Sequence, residues 1–220
     1  MLKRTFDIIL SIIAILISSP FMILIAILIK ITSKGPVFFL QNRIGINGKY
    51  FKIIKFRTMI HNSEKKGTGL FSFKDDPRIT KLGHFLRRTS LDEFPQFFNV
   101  FFGSMSLVGP RPPVTYELGD WSTFTPTMRK RFRVKPGITG YSQVYGRNNL
   151  GWDRKIAYDI LYIKNYKRFG LFLDIFIIFK TVWVVLTGKG ILENEEVLIS
   201  DKKIAKRAQK FNQNQFDEKH

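Results

Sequence analysis

The chain has 220 residues, with 36 Lys+Arg against 17 Asp+Glu, a formal net charge of +19 and no cysteine. That length suits one domain with a core, or a modest domain plus an appended element; two full domains would be tight. Hydrophobic residues at 45%, with 22 Phe, exclude a disordered chain, and zero cysteines exclude disulfides, thiol nucleophiles and thiolate metal sites. The charge requires an anionic partner: nucleic acid, lipid headgroups or phosphorylated small molecules.

Ile8 to Ile29 contains no charged residue and is long enough for a transmembrane helix. Ser18, Ser19 and Pro20 fall in its middle. Proline removes one backbone hydrogen bond, and serine hydroxyls can satisfy a freed carbonyl, so a bend is predicted there. Lys3 and Arg4 precede the run, and Lys30 and Lys34 follow it, so both ends carry the cytoplasmic charge signature. A helix that enters, turns at Ser19-Pro20 and leaves by the same face satisfies both observations. From composition alone, a plain kinked transmembrane helix stands level with it. A signal peptide fits poorly, because the run is too long and no small-residue cleavage site follows.

Next comes VFFLQNRIGINGKYFKIIKFRTM, residues 37 to 59. Asn47-Gly48 between β-prone runs predicts a two-residue hairpin turn, and its second arm, Tyr50 to Phe56, delivers Lys55 and Arg57 near its end. No acid lies between Asp7 and Glu64, so these cations lack local partners. Residues 61 to 76 read as a loop leading to a helix through Leu82 to Arg88. In TSLDEFPQ, Ser90 and Glu93 have capping-box spacing and Pro95 suits a first turn. A helix is therefore predicted to begin at Ser90 to Asp92 and to run through FPQFFNVFF, with Asp92 and Glu93 at its N-terminus. LVGPRPP (107 to 113) and VKPGITGYSQVYGRN (134 to 148) read as rigid loops.

A helix is predicted from Trp152 to Arg168, with Ile156, Ile160 and Ile163 on one side and Lys155 and Asp159 on the other. LFLDIFIIFKTVWVVL (171 to 186) fits the membrane interface or the core equally well. The tail from Glu193 is polar, and its end is expected to be poorly ordered. Asp159 and Asp174 read as structural ion pairs or caps, while His61, His84 and His220 have no ligand spacing.

Adjacent helical side chains point about 100° apart, so Asp92 and Glu93 cannot flank a substrate symmetrically as a glycosidase requires. A helix N-terminus and nearby arginines are expected to keep both ionised, which favours a nucleophile or a metal ligand over a proton donor. A phosphate-rich substrate explains the cations, and Mg²⁺ between a diphosphate and two carboxylates relieves their repulsion.

KRTFDIIL, ISSPF, KIIKFRTM, RRTSLDEFPQFFNVFFGSMSLVGPRP, VKPGITGYSQVYGRN and the WDRK to LFLDI segment resemble, in order, the motifs of the bacterial sugar transferase family, the monotopic phosphoglycosyl transferases. The resemblance covers roughly residues 2 to 190. It implies transfer of a sugar 1-phosphate from a UDP-sugar to undecaprenyl (polyprenyl) phosphate with release of UMP, an early membrane step in bacterial glycan synthesis. It further implies ping-pong kinetics through a covalent phosphosugar on Asp92. Glu93 matches the second member of the dyad, implied to help hold Mg²⁺ or to position the lipid phosphate. Lys55, Arg87 and Arg111 match phosphate-binding positions; Arg57 is carried as a substrate contact or a core-edge ion pair. Ser19 and Pro20 match the break of a re-entrant anchor, which tips the choice left open above.

The expected fold is mostly α with a small β-hairpin: a membrane-associated single catalytic domain with a re-entrant helix-break-helix anchor and interfacial amphipathic helices. Its parts are the anchor (1 to 34), the catalytic domain (35 to 190) and a polar tail (191 to 220). Membrane phospholipids are expected partners at the cytoplasmic face of the bacterial inner membrane; a homo-oligomer and downstream glycosyltransferases stay open. No nucleic-acid partner is expected, since nothing matches an RNP or KH signature. A membrane-tethered nucleic-acid-binding protein and a non-catalytic scaffold are the rival readings. Neither the sugar nor the glycan pathway can be read from these residues.

Overall fold

A computed structural model describes residues 1–63, 76–114, 118–119, 121–146 and 150–187. The expectations for the loop around residues 64–75, for His220 and for the tail lie outside the described residues. Helix α1 (Leu2–Thr32) is followed by β1 (Phe38–Ile44) and β2 (Tyr50–Phe56), α2 (Lys81–Thr89), a 3₁₀ turn (Leu91–Glu93), α3 (Gln96–Phe102) and β3 (Ser106–Val108). Then come α4 (Pro126–Lys130), β4 (Gly137–Thr139), α5 (Tyr141–Tyr145), α6 (Trp152–Phe169) and α7 (Leu171–Thr187). The architecture is mostly helical, with the antiparallel β1-β2 hairpin and a parallel β3-β4 pair.

Helix α1 is apolar nearly all round, and it buries one stripe against the rest of the chain: Asp7, Ser11, Ser18, Met22, Ile25 and Ile29. Both of its ends are tied to the same body. At the start, Lys3 Nζ donates to Val108 O (3.1 Å) and pairs with Asp174 (2.5 Å), while Arg4 donates to Val100 O and Phe101 O. At the end, Arg57 Nη1 donates to Lys34 O (2.6 Å) and Nη2 to Ser33 O (2.9 Å). The backbone stays helical through Ser19-Pro20, the position predicted to bend. Ser19 Oγ donates at 2.9 Å to Leu16 O, the carbonyl left without a partner by the missing N–H of Pro20, and Ser18 Oγ donates to Ala14 O.

Three local expectations are corrected. Asn47 and Gly48 do take positive φ (53° and 78°), but the strands pair only as far as Ile44 and Tyr50, so the loop is longer than two residues. Ser90 adopts a left-handed conformation and makes no side-chain cap, so the capping box does not form; the dyad sits in the 3₁₀ turn ahead of α3. The two Pro- and Gly-rich stretches contain β3, β4 and α5. Gly109 and Gly137 let their backbones meet: a Cβ on Gly137 would lie 2.1 Å from Gly109 N.

Asp159 faces inward on α6, 1% exposed, and pairs with Arg131. Asp174 is fully buried and accepts from Lys3 and Tyr162, so both aspartates are structural. Helix α7 takes the core role on one side only. Leu173, Ile177 and Val184 enter the core, while Phe172, Phe179, Trp183 and Leu186 stay exposed.

Candidate active site

Three segments converge on the turn that carries Asp92 and Glu93. Strand β2 is fixed to α3 by Asn99, whose Oδ1 accepts from Ile54 N (2.9 Å) and whose Nδ2 donates to Lys52 O (2.8 Å). The side chain thus acts as a neighbouring strand along the hairpin edge. That clamp brings Lys55 against the turn before α3, where Lys55 Nζ pairs with Glu93 Oε1 at 2.7 Å.

Helix α2 supplies Arg87. Its first turn is capped by Thr80, and a Cβ on Gly83 would stand 2.0 Å from Thr58 O, so only glycine lets the helix seat on the strand end. Arg87 Nε then donates to Thr58 Oγ1 at 2.9 Å. Arg111 comes from the GPRPP loop and pairs with Glu93 Oε1 at 3.2 Å. The loop is held from both sides: Arg43 Nη1 donates to Pro112 O (2.9 Å) and Arg131 Nη2 to Arg111 O (2.6 Å). Arg131 is 1% exposed, lies 5.2 Å from the ring centroids of both Phe132 and Trp152, and is neutralised by Asp159.

The two carboxylates are therefore unlike. Asp92 is buried and accepts no hydrogen bond from the described residues. Burial pushes its carboxyl up to about 6, with the charge on Glu93 acting the same way against Lys55, Arg87 and Arg111. Burial acts on Glu93 as well, but there Lys55 and Arg111 outweigh it and hold the carboxyl well below its ordinary range. Both carboxylates are thus mostly ionised at neutral pH, but unequally: Glu93 is a tethered anion, and Asp92, without a bonded partner among the described residues, is the more basic.

Lys55, Arg87 and Arg111 are thus brought together with the dyad. Arg57 is not: it is 6% exposed, and its guanidinium is bonded to the C-terminal end of α1. Ser19 and Pro20 lie within α1. His61 and His84 are exposed. Sequence reasoning missed Thr58, Asn99, Arg43 and Arg131, none of which belongs to a local pattern that signals its partner.

The bacterial sugar transferase family matches residues 1–188, and this chain belongs to it. Relatives include the UDP-N-acetylgalactosamine-undecaprenyl-phosphate N-acetylgalactosaminephosphotransferase of Aeromonas hydrophila, 44% identical over 86% of this chain and 44% of that protein. The undecaprenyl-phosphate galactose phosphotransferase of Salmonella typhimurium is 43% identical over 86% and 41%. The exopolysaccharide production protein ExoY of Sinorhizobium fredii is 37% identical over 86% and 87%. The chain thus spans under half the length of the first two relatives and most of the third.

Proposed function

We propose that this chain moves a sugar 1-phosphate from a UDP-sugar to undecaprenyl phosphate, releasing UMP, as the first membrane step of a bacterial glycan. The observation that carries the reading is the buried carboxylate of Asp92, which accepts no hydrogen bond from the described residues, set among Lys55, Arg87 and Arg111 beside a Glu93 that is already tethered. An unpartnered and more basic carboxylate is the better nucleophile, and it is still largely ionised at neutral pH.

In the first step an Asp92 oxygen attacks the β-phosphorus. The bond from that phosphorus to the bridging oxygen breaks, and UMP leaves with the oxygen. In the second, an oxygen of the lipid phosphate attacks the same phosphorus, the bond to Asp92 breaks, and the carboxylate is restored with a new diphosphate on the lipid. One phosphoanhydride is consumed and one is made, so no other energy source is needed. Lys55, Arg87 and Arg111 are placed to hold phosphoryl oxygens, and Glu93 orients two of these three cations.

No group of three or more His, Cys, Asp or Glu side chains among the described residues could hold a metal. Mg²⁺ needs less: it keeps much of its water and takes one or two carboxylates plus substrate phosphates. Asp92, which accepts no hydrogen bond, and Oε2 of Glu93, left clear because both its bonds fall on Oε1, suit that role. Bound there, the ion would neutralise charge on the diphosphate.

Membrane attachment through α1, re-entrant from the cytoplasmic face, completes the reading. It is supported by the ties at both helix ends to one body and by the exposed side chains Leu16, Ile17, Phe21, Ile23 and Leu24. Since the chain has no cysteine, single cysteines at Leu2 and Lys34 can be labelled in inside-out and right-side-out vesicles. Both sites are expected to react only from the face that carries the catalytic domain; reaction from opposite faces would mean a crossing helix.

Incubating the detergent-solubilised protein with a panel of UDP-sugars and Mg²⁺ tests the chemistry. Without lipid, one donor is expected to release UMP in a burst stoichiometric with enzyme, and undecaprenyl phosphate is expected to sustain turnover. Release of UDP, or no UMP until lipid is added, would sink the covalent route.

A further inference from the structure

At the end of α3 away from the dyad, two cations share one spot. A Cβ on Gly103 would stand 3.2 Å from Arg4 Nη2 and 3.4 Å from Lys135 Nζ, so both heads flank the same point. The Arg4 guanidinium is fixed there by its bonds to Val100 O and Phe101 O. Lys135 makes no hydrogen bond or ion pair with the described residues, and burial followed by repulsion from Arg4 lowers its ammonium from the ordinary value. The nearby acid, Asp7, attracts Lys135 and partly offsets these effects without bonding to it; its Oδ1 accepts from Ser106 Oγ and Leu107 N. Two like charges held this close, with no acid bonded to either among the described residues, attract an anion.

The surface beside them is apolar. An open groove of about 210 Å³ is lined by Ile12, Ile15, Leu16, Phe98, Phe101 and Phe102, and Phe102 is 75% exposed. Groove and cations meet at Phe101, whose ring lines one and whose carbonyl accepts from Arg4. The seven residues of α3 put about 10 Å of helix between this spot and the dyad, too far for an anion here to react at Asp92.

We propose that Arg4 and Lys135 bind the phosphate of a bilayer phospholipid, one of whose acyl chains lies in the groove beside Phe101 and Phe102. The charge selects the headgroup and the apolar lining selects the chain. The inference rests on the membrane association argued above but not on the transfer reaction, so activity is not its readout.

Native mass spectrometry of the full chain, released from mixed micelles containing phosphatidylglycerol, counts retained lipid. Lys135→Gln removes a charge and no bond, and is expected to retain about fivefold less, the usual effect of one basic residue near an anionic headgroup. Lys135→Glu is expected to retain least, yet to unfold at a higher temperature than wild type in lipid-free detergent, because it pairs with Arg4. Equal retention by all three proteins would overturn the site. So would inorganic phosphate raising the wild-type melting temperature as much as phosphatidylglycerol does, with no lipid retained, since that would show an anion site without a lipid.

Discussion

Asp92→Asn is expected to lose at least about 10³-fold in UMP release, as removal of a covalent nucleophile does, and to melt at a higher temperature than wild type at pH 8 without divalent cations. A carboxyl held near 6 instead of its usual 3.8 costs the fold about 3 kcal/mol once it is ionised. The sign follows from the direction of the shift. Because the folded value is raised, the native state holds the proton more tightly, and stability present below pH 4 is lost as pH rises through 6. Asparagine, like the protonated acid, avoids that loss. The advantage of the variant should therefore grow from pH 4 to pH 7, then level off, and it is read from melting curves across that range. Glu93→Gln should do the reverse, because the Glu93 carboxylate is held down by Lys55 and Arg111 and its loss leaves both cations without their acid. If Asp92→Asn were no more stable than wild type at pH 8, Asp92 would not be the strained, unpartnered group described.

Asp159→Asn should be among the most destabilising single changes, costing about 3–5 kcal/mol, because it leaves the Arg131 charge uncompensated in a dry site. Burial pushes the Asp159 carboxyl up even against Arg131, the mark of an ion pair whose desolvation consumes most of its attraction. Replacing the pair with apolar residues, Arg131→Met with Asp159→Leu, is thus expected to recover most of the melting temperature. It should not recover catalysis. The Arg131 bond to Arg111 O is the side-chain bond that fixes the Arg111 backbone in the GPRPP loop, and losing it should lower kcat/KM on the order of 10²-fold through misplacement of Arg111. A double variant that regains both stability and kcat/KM would show that the pair only fills the core.

How much of this could be read along the chain depends on the range of the interaction. The apolar run of α1, the hairpin arms with positive φ at Asn47 and Gly48, the helix through Leu82 to Arg88 and the pairing of Asp92 with Glu93 all follow from patterns a few residues long. The capping box at Ser90 failed for want of long-range information: Glu93 could close back on Ser90 only if Lys55, 38 residues away, and Arg111 did not claim its carboxylate first. Arg57 and Arg111 look alike in sequence, each a cation beside a proline-, glycine- or strand-rich stretch. Packing alone sent the first to the end of α1 and the second to the dyad. By itself the sequence determined the apolar helix α1, the acid pair and the surplus of cations, because composition and short periodicity set those. Only the tertiary structure decided which cations reach which carboxylate, and so which acid is left without a bonded partner among the described residues, because partner choice between residues far apart in the chain depends on geometry that no local pattern carries.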